Sequence, residues 1–292
     1  MRIDLHAHSS VSDGTQRPGE LVRAAAASGL DVLAITDHDT TASWDEAAQA
    51  AREVGLTLVR GIEISTVHRG RGVHLLAYLP DPTHPVLRSR LRAILAGRAS
   101  RVPAILERLS ALGVDLTDEE VASASGRTAA TGRPHLADAL VTKGVVRDRR
   151  EAFDRFLNPG RPAYVDRTAA DLVDMITVVA DAGGVSVLAH PWGRSARQVL
   201  DPATLGELRA LGLTGIEVDH EDHPRPVRDE LRAVARHHDL VVTGSSDHHG
   251  LGKVGHELGC NTTDPLEYER LLAAAQEAAA RSGRAVPDLV VA

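Results

Sequence analysis

The stretch Met1-Arg2-Ile3-Asp4-Leu5-His6-Ala7-His8 reads as a short buried strand that ends in two histidines. In an extended chain, residues two apart project to the same side, so His6 and His8 face one way. Working outward from it, six more apolar runs read as buried strands: Asp31 to Thr36, Thr57 to Ile64, Gly72 to Leu79, Gly184 to Ala189, Gly215 to Val218 and Leu240 to Thr243. Helical patterns lie between many of them. One runs from Pro18 to Gly29, with proline in its first turn and glycine at its end. Others cover Ser43 to Val54, Ala169 to Ala182 and Pro226 to His237. This alternation predicts an α/β chain with a parallel sheet and enough strands to close into a barrel.

One region breaks the pattern. From 85 to 162 there is no convincing strand, only helical patterns: Val86 to Leu112, Asp118 to Ser123, His135 to Lys143 and Arg149 to Phe156. It reads as a helical insertion, or cap, between the fourth and fifth strands. The barrel is then built from 1–84 and 163–292, ending in a helix from Pro265 to Ser282 and an apolar tail.

The ends of the strands carry the chemistry. The first ends in His6-Ala7-His8 and the second in Thr36-Asp37-His38-Asp39. The third ends in Gly61-Ile62-Glu63, the fourth carries His74, and the fifth ends in Ala189-His190-Pro191. The sixth ends in Glu217-Val218-Asp219-His220, and the seventh in Ser246-Asp247-His248-His249-Gly250. In a parallel barrel the C-terminal strand ends converge on one mouth. Burying so many imidazoles and carboxylates together is costly unless cations neutralise them. A single histidine at a strand end is more often hydrogen-bonded than a ligand. His68, His84, His237 and His256 take the plainer reading, as surface or loop residues, and nothing in the pattern points His220 or His248 inward.

Composition narrows the function. The 292 residues are 43% hydrophobic and carry a net charge of -7, which argues against holding long duplex nucleic acid by general electrostatics. The one cysteine, Cys260, excludes an internal disulfide and a thiolate cluster. No basic-then-apolar leader pattern opens the chain, and no run of eighteen apolar residues occurs. A cytoplasmic enzyme with no membrane contact and no obligate protein partner is expected. Gly-X-Ser-X-Gly is missing and no phosphate-loop motif occurs, which disfavours serine hydrolase and NTP-binding roles.

Taken together, Asp4-Leu5-His6-Ala7-His8-Ser9, Ile35-Thr36-Asp37-His38-Asp39, Gly61-Ile62-Glu63, His74, Ala189-His190-Pro191 and Ser246-Asp247-His248-His249-Gly250 resemble the motifs of the PHP (polymerase and histidinol phosphatase) superfamily. The resemblance spans residues 4 to 250. It implies a distorted seven-stranded, TIM-like (β/α) barrel with up to three divalent metals. By motif, His6, His8, Glu63 and Asp247 would hold one ion. Glu63, His74 and His190 would hold a second, and Asp13, His38 and His249 a third. Glu63, His190 and Asp247 would be the catalytic residues. Some relatives have histidine where this chain has Asp13. Its oxygen favours a harder ion there, manganese first, with iron, zinc or magnesium as alternatives. Asp37 and Asp219 are expected to orient imidazoles from behind. The implied reaction is hydrolysis of a phosphoric ester by a hydroxide bridging the metals.

Arginine is dense in the insertion. Gly97-Arg98-Ala99-Ser100-Arg101 and Thr131-Gly132-Arg133-Pro134-His135 offer cationic groups, and Arg194 follows the fifth-strand histidine. Arg98, Arg101, Arg133, His135 and Arg194 are therefore expected to bind phosphate, although most such arginines lie on solvated helix faces. The Gly-Arg-X-His pattern and the insertion resemble the branch that includes nucleoside 3',5'-bisphosphate phosphatases and trimming exoribonucleases. The expected substrate is a small phosphorylated nucleotide or a short oligonucleotide. A histidinol-phosphate phosphatase and a non-catalytic metal-binding module are the alternatives.

Overall fold

A computed structural model describes residues 1–126, 128, 131–166, 169–193 and 196–290. Its strands are β1 (Ile3–Asp4), β2 (Val32–Ile35), β3 (Thr57–His68), β4 (Arg71–Tyr78), β5 (Ala170–Asp171), β6 (Val185–Ala189), β7 (Gly215–Asp219) and β8 (Val241–Gly244). They pair in the order β1-β2-β3-β4-β6-β7-β8, with the short β5 added at the rim of β3. A parallel bridge between Ala7 and His248 brings the two ends together. The result is a nearly closed barrel of seven strands, as the pattern of apolar runs predicts.

The sheet is not wholly parallel, which corrects the expectation. β4 runs antiparallel to both β3 and β6. Arg69 (φ 47°) and Gly70 (φ 75°) form a two-residue turn between β3 and β4. Positive φ at both central residues is the geometry that matches the twist of a hairpin. His74 therefore lies near the start of its strand, yet at the same mouth as the ends of the others. It pairs laterally with Ser65 on β3 and with Ala189 on β6.

Helices α1 (Pro18–Ala27), α2 (Trp44–Val54), α7 (Leu172–Asp181), α8 (Pro202–Ala210) and α9 (Arg225–His238) surround the barrel. Their apolar faces share one cluster with Leu33, Ile35, Leu58, Ile62, Leu75, Leu188 and Ile216. Strand alternation sends Val32, Ala34, Val59, Leu76 and Tyr78 the other way, where they cluster with Tyr268, Leu271, Ala275 and Ala278 of α10 (Pro265–Ser282). Val59 shares a strand face with Glu63, and Tyr78 with His74. The inner face is thus apolar against α10 and polar at the opposite end, the mouth.

Between β4 and β5 lie α3 (Pro85–Ala111), α4 (Asp118–Ser125), α5 (Arg133–Thr142) and α6 (Arg149–Ala152), followed by a π turn at Phe153–Leu157. The apolar residues of α3 divide. Leu87, Leu91 and Ile94 join the barrel cluster, whereas Val102, Ile105 and Leu109 join Leu136, Leu140 and Phe156 in a separate core. Pro103, inside α3, removes one helical hydrogen bond near that division. No helix among the described residues is long and apolar enough to cross a membrane.

Candidate metal centre

Local devices hold the ligand-bearing segments. Ala7 is tied to β2 through Thr36, whose amide donates to the Ala7 carbonyl at 2.9 Å. The His8 amide donates to the His248 carbonyl at 2.8 Å, so the first strand is held from both sides. Gly14 follows Asp13 and lies so close to His8 that a Cβ there would stand 2.3 Å from the His8 carbonyl oxygen. Only glycine fits that turn. Asp39, His190 and Asp247 adopt left-handed backbone with φ of 58°, 32° and 51°. Such conformations cost roughly 1–3 kcal/mol each and persist where surrounding structure enforces them. Here they fall next to or at the strand ends that carry the polar groups.

The nine residues expected as ligands converge. His6 Nε2 lies 3.0 Å from His8 Nε2, 3.3 Å from Glu63 Oε2 and 3.5 Å from Asp247 Oδ1. His8 Nε2 lies 3.2 Å from Glu63 Oε2 and 3.4 Å from Asp247 Oδ1. Donor atoms about 2.0–2.2 Å from one ion stand roughly 2.8–3.6 Å from each other. Both imidazole nitrogens stand at that spacing from each other and from each carboxylate oxygen. Glu63 Oε1 lies 2.7 Å from His74 Nδ1 and 3.3 Å from His190 Nε2. Asp13 lies 3.5 Å from His38 Nε2 and 3.3 Å from His249 Nε2. His38 Nδ1 is also 3.1 Å from Glu63 Oε2, so Glu63 stands among all three groups. His8 can join the Asp13 group, since those atoms too lie within reach of one ion. The donor chemistry and the spacing fit divalent cations.

Residues behind the ligands fix their tautomers. Glu217 is fully buried and accepts from His6 Nδ1 at 3.1 Å, which leaves Nε2 with its lone pair toward the centre. Its other oxygen accepts the His190 amide at 2.8 Å. This carboxylate, not Asp219, orients an imidazole; Asp219 pairs with Arg232. Among the described residues Asp37 likewise pairs with no imidazole but accepts from Ser9 and Ser12, bracing the turn that carries Asp13. His220, expected to stay out, is fully buried with Nε2 3.1 Å from Asp247 Oδ2. Its Nδ1 accepts from the Asp222 amide, so Nε2–H donates to Asp247. His256 is also buried, against the surface reading, and donates from Nδ1 to the Ser246 carbonyl. Among the other plainly read histidines, His84 caps α3 by accepting from the Leu87 amide.

Without cations the centre holds protons. Burial alone would lower the His8 imidazole, but Asp247 and Glu63 beside it push it up to about 9. His6, opposed by burial too, is raised well above its ordinary value by Asp247, Glu63 and Glu217. Burial opposes ionisation of Asp13 and Glu63, yet the facing imidazoles hold both carboxyls well below their usual range. His38 and His249 are lowered by burial, so above pH 6.5 they are neutral both folded and unfolded. In the window from 6.5 to about 9, the group that titrates is therefore a histidine with a raised folded value. The stability its proton contributes is complete below 6.5 and is lost as pH rises through about 9. Cation binding needs the deprotonated ring and gains as pH rises. Metal-stripped protein should lose thermal stability between those values, while the stabilisation added by Mn2+ grows; scanning calorimetry at several pH values checks both trends. A stripped protein that becomes more stable over that window would contradict this.

The cationic residues of the insertion are used differently from expectation. Arg98 is 4% exposed; its Nε donates to Asp39 at 2.8 Å and a terminal nitrogen donates to Ser65 Oγ at 2.8 Å. Arg133 donates to the Leu157 carbonyl at 2.9 Å and stands over the Phe153 and Tyr164 rings, inside the cap. His135 accepts from the Gly132 amide through Nδ1 and donates from Nε2 to the Ser12 carbonyl at 3.0 Å, so both nitrogens serve the backbone. These three frame the site rather than offer open charges. Arg101 is buried on the same helix as Arg98, its charge acting on Tyr164. Arg194 lies outside the described residues. Two cations that the sequence reading passed over approach instead. Lys253 Nζ contacts Asp247 Oδ2, and Arg149 donates to the carbonyls of Asp13 and Gly252. A Gly-Leu-Gly-Lys run after the last strand-end histidine was the available signal for Lys253.

Known proteins resemble this chain in sequence and fold. The PHP domain family matches residues 4–112. A 5'-3' exoribonuclease of Haemophilus influenzae is 36% identical over 85% of this chain and 90% of its own length. A 3',5'-nucleoside bisphosphate phosphatase of Chromobacterium violaceum is 34% identical over 88% of this chain and 90% of its own. In three dimensions, a crystal structure from Bifidobacterium adolescentis, described as a candidate metal-dependent phosphoesterase, superposes with a TM-score of 0.89. It is 39% identical and covers 93% of this chain and 96% of its own. Matching sequence along nearly the whole length, on the same barrel, settles descent: the chain belongs to the PHP family.

Proposed function

We propose that this chain is a metal-dependent phosphoester hydrolase acting on a small nucleotide, such as a 3',5'-bisphosphate, or on a short oligonucleotide. The observation that carries this reading is Glu63, one carboxylate with five imidazoles within 3.3 Å of its oxygens. The proposed ligand sets are His6, His8, Glu63 and Asp247; then Glu63, His74 and His190; then Asp13, His38 and His249. Bound ions there supply charge neutralisation for the phosphoryl oxygens and a water acidified to near-neutral pKa. Glu63, His190 and Asp247 orient that chemistry. Glu217 and His220 keep His6 and Asp247 turned inward. Manganese suits the oxygen of Asp13 better than zinc, with iron and magnesium also compatible.

The cap spanning 85–162 is proposed to cover the mouth and exclude water from it. Lys253, at the mouth, is proposed to meet the substrate phosphate together with Arg101 and Arg194. Relatives named as an exoribonuclease and as a nucleoside bisphosphate phosphatase support a nucleotide rather than an amino-alcohol phosphate. The test offers Mn2+-loaded protein adenosine 3',5'-bisphosphate, short RNA and histidinol phosphate, and measures phosphate or mononucleotide release. Turnover of one or both nucleotide substrates is expected. No release from any of them would overturn the hydrolase reading, and release from histidinol phosphate alone would overturn the substrate class.

A further inference from the structure

The turn that carries Asp13 is gripped from the insertion at three successive carbonyls. Thr128 Oγ1 donates to Val11 at 2.5 Å, His135 Nε2 to Ser12 at 3.0 Å, and the Arg149 guanidinium to Asp13 at 3.4 Å. These donors come from the loop before α5, from α5 and from α6. Arg149 is itself held rigidly: Nε and a terminal nitrogen donate to the two oxygens of Asp138 at 2.5 and 2.6 Å. It also reaches the Gly252 carbonyl at 3.3 Å, on the loop that follows His249. A forked arginine fixed by a carboxylate is pre-organised, so little entropy is lost when it takes further acceptors.

The barrel side of the same turn is braced by Asp37, which accepts from Ser9 and Ser12, and by the Ser9 carbonyl, which accepts the Ser12 and Gly14 amides. None of those contacts fixes the outward carbonyls of residues 11 to 13. In a β-like or turn backbone, moving a carbonyl rotates the peptide that carries the next side chain. Position errors of a fraction of an ångström matter for an ion, whose ligand distances tolerate about 0.2 Å.

We infer that docking of the helical insertion sets the position of Asp13 and hence the occupancy of the cation group formed by Asp13, His38 and His249. Thr128, His135 and Arg149 are positioning residues that act through the backbone of that turn. The groups formed by His6, His8, Glu63 and Asp247, and by Glu63, His74 and His190, receive none of these three contacts and fill whether or not α5 and α6 are seated on the turn. The inference rests on the proposed reading of Asp13 as a ligand. It makes cation occupancy responsive to anything that moves the insertion, a substrate included.

The experiment measures bound Mn2+ per chain across a concentration series, by elemental analysis after equilibrium dialysis, with circular dichroism as the check on folding. The proteins are wild type, Thr128→Val, His135→Phe, His135→Gln and Arg149→Met. Wild type should fill every group. His135→Phe and Arg149→Met should lose one ion per chain at concentrations that saturate wild type, its dissociation constant weakened roughly 10–100-fold. His135→Gln keeps an N–H where Nε2 stood and should retain the ion. If His135→Phe does not fold, Arg149→Met and Thr128→Val decide. Folded His135→Phe and Arg149→Met proteins that load like wild type would overturn the inference, as would equal loss in His135→Phe and His135→Gln. A wild type that binds no Mn2+ would instead overturn the ligand reading of Asp13 beneath it.

Discussion

Glu63→Gln should abolish turnover while leaving the barrel folded. The substitution keeps the shape of the side chain and removes the charge shared by three donor groups. Oε1 faces His74 and His190, and Oε2 faces His6, His8 and His38. A neutral amide cannot bridge cations as a carboxylate does, and its N–H2 would meet lone pairs that are meant for an ion. Metal centres supply several kcal/mol of transition-state stabilisation in such reactions, which corresponds to a rate loss of about a thousandfold or more. Steady-state phosphate release at saturating Mn2+ measures it. The neighbouring fold has reason to survive: the Glu63 amide and carbonyl are tied to Thr36 and Asp39 by backbone hydrogen bonds that the side chain does not make. A variant retaining activity within tenfold of wild type would remove Glu63 from the centre of the account.

Arg98→Met should cost stability rather than substrate affinity. The guanidinium and the Asp39 carboxylate are both almost fully buried and 2.8 Å apart. Removing one partner of a buried pair leaves the other charge stranded, at a cost of about 3–5 kcal/mol. Asp39 would keep its bonds from the Ser65 amide and hydroxyl, at 2.7 and 2.9 Å, which places the effect toward the lower end. The midpoint of urea unfolding reads this directly. Had Arg98 been a phosphate contact, as its Gly-Arg-X-X-Arg setting suggests, the same substitution would raise KM and leave stability nearly unchanged.

That contrast marks where sequence reasoning ran out. Period-two alternation and the convergence of strand ends were enough to bring the strand-end histidines and carboxylates to one mouth, because both follow from backbone geometry; the choice of His6, His8, Glu63, His190 and Asp247 among them rested on the family resemblance. Even the reversal of β4 was readable in principle. Only seven residues separate Ile64 from Gly72, too few for the crossover of a dozen or more that two parallel neighbours require. Partner choice was not readable. Whether an arginine meets a phosphate or a buried aspartate depends on where α3 lies, and α3 belongs to the barrel at Leu91 but to the insertion at Ile105. Glu217 and Asp219 sit two apart on one strand, and only the turn of the chain at His190 and Ser245 shows which of them reaches the histidines.

The central claim is that these side chains surround cations at defined places. Crystals of the protein grown with Mn2+ and measured above and below the manganese absorption edge test it most directly. The account predicts anomalous peaks between His6, His8, Glu63 and Asp247, between Glu63, His74 and His190, and beside Asp13, His38 and His249. A map with no peak within bonding distance of Glu63, from crystals whose mother liquor holds saturating Mn2+, would contradict it.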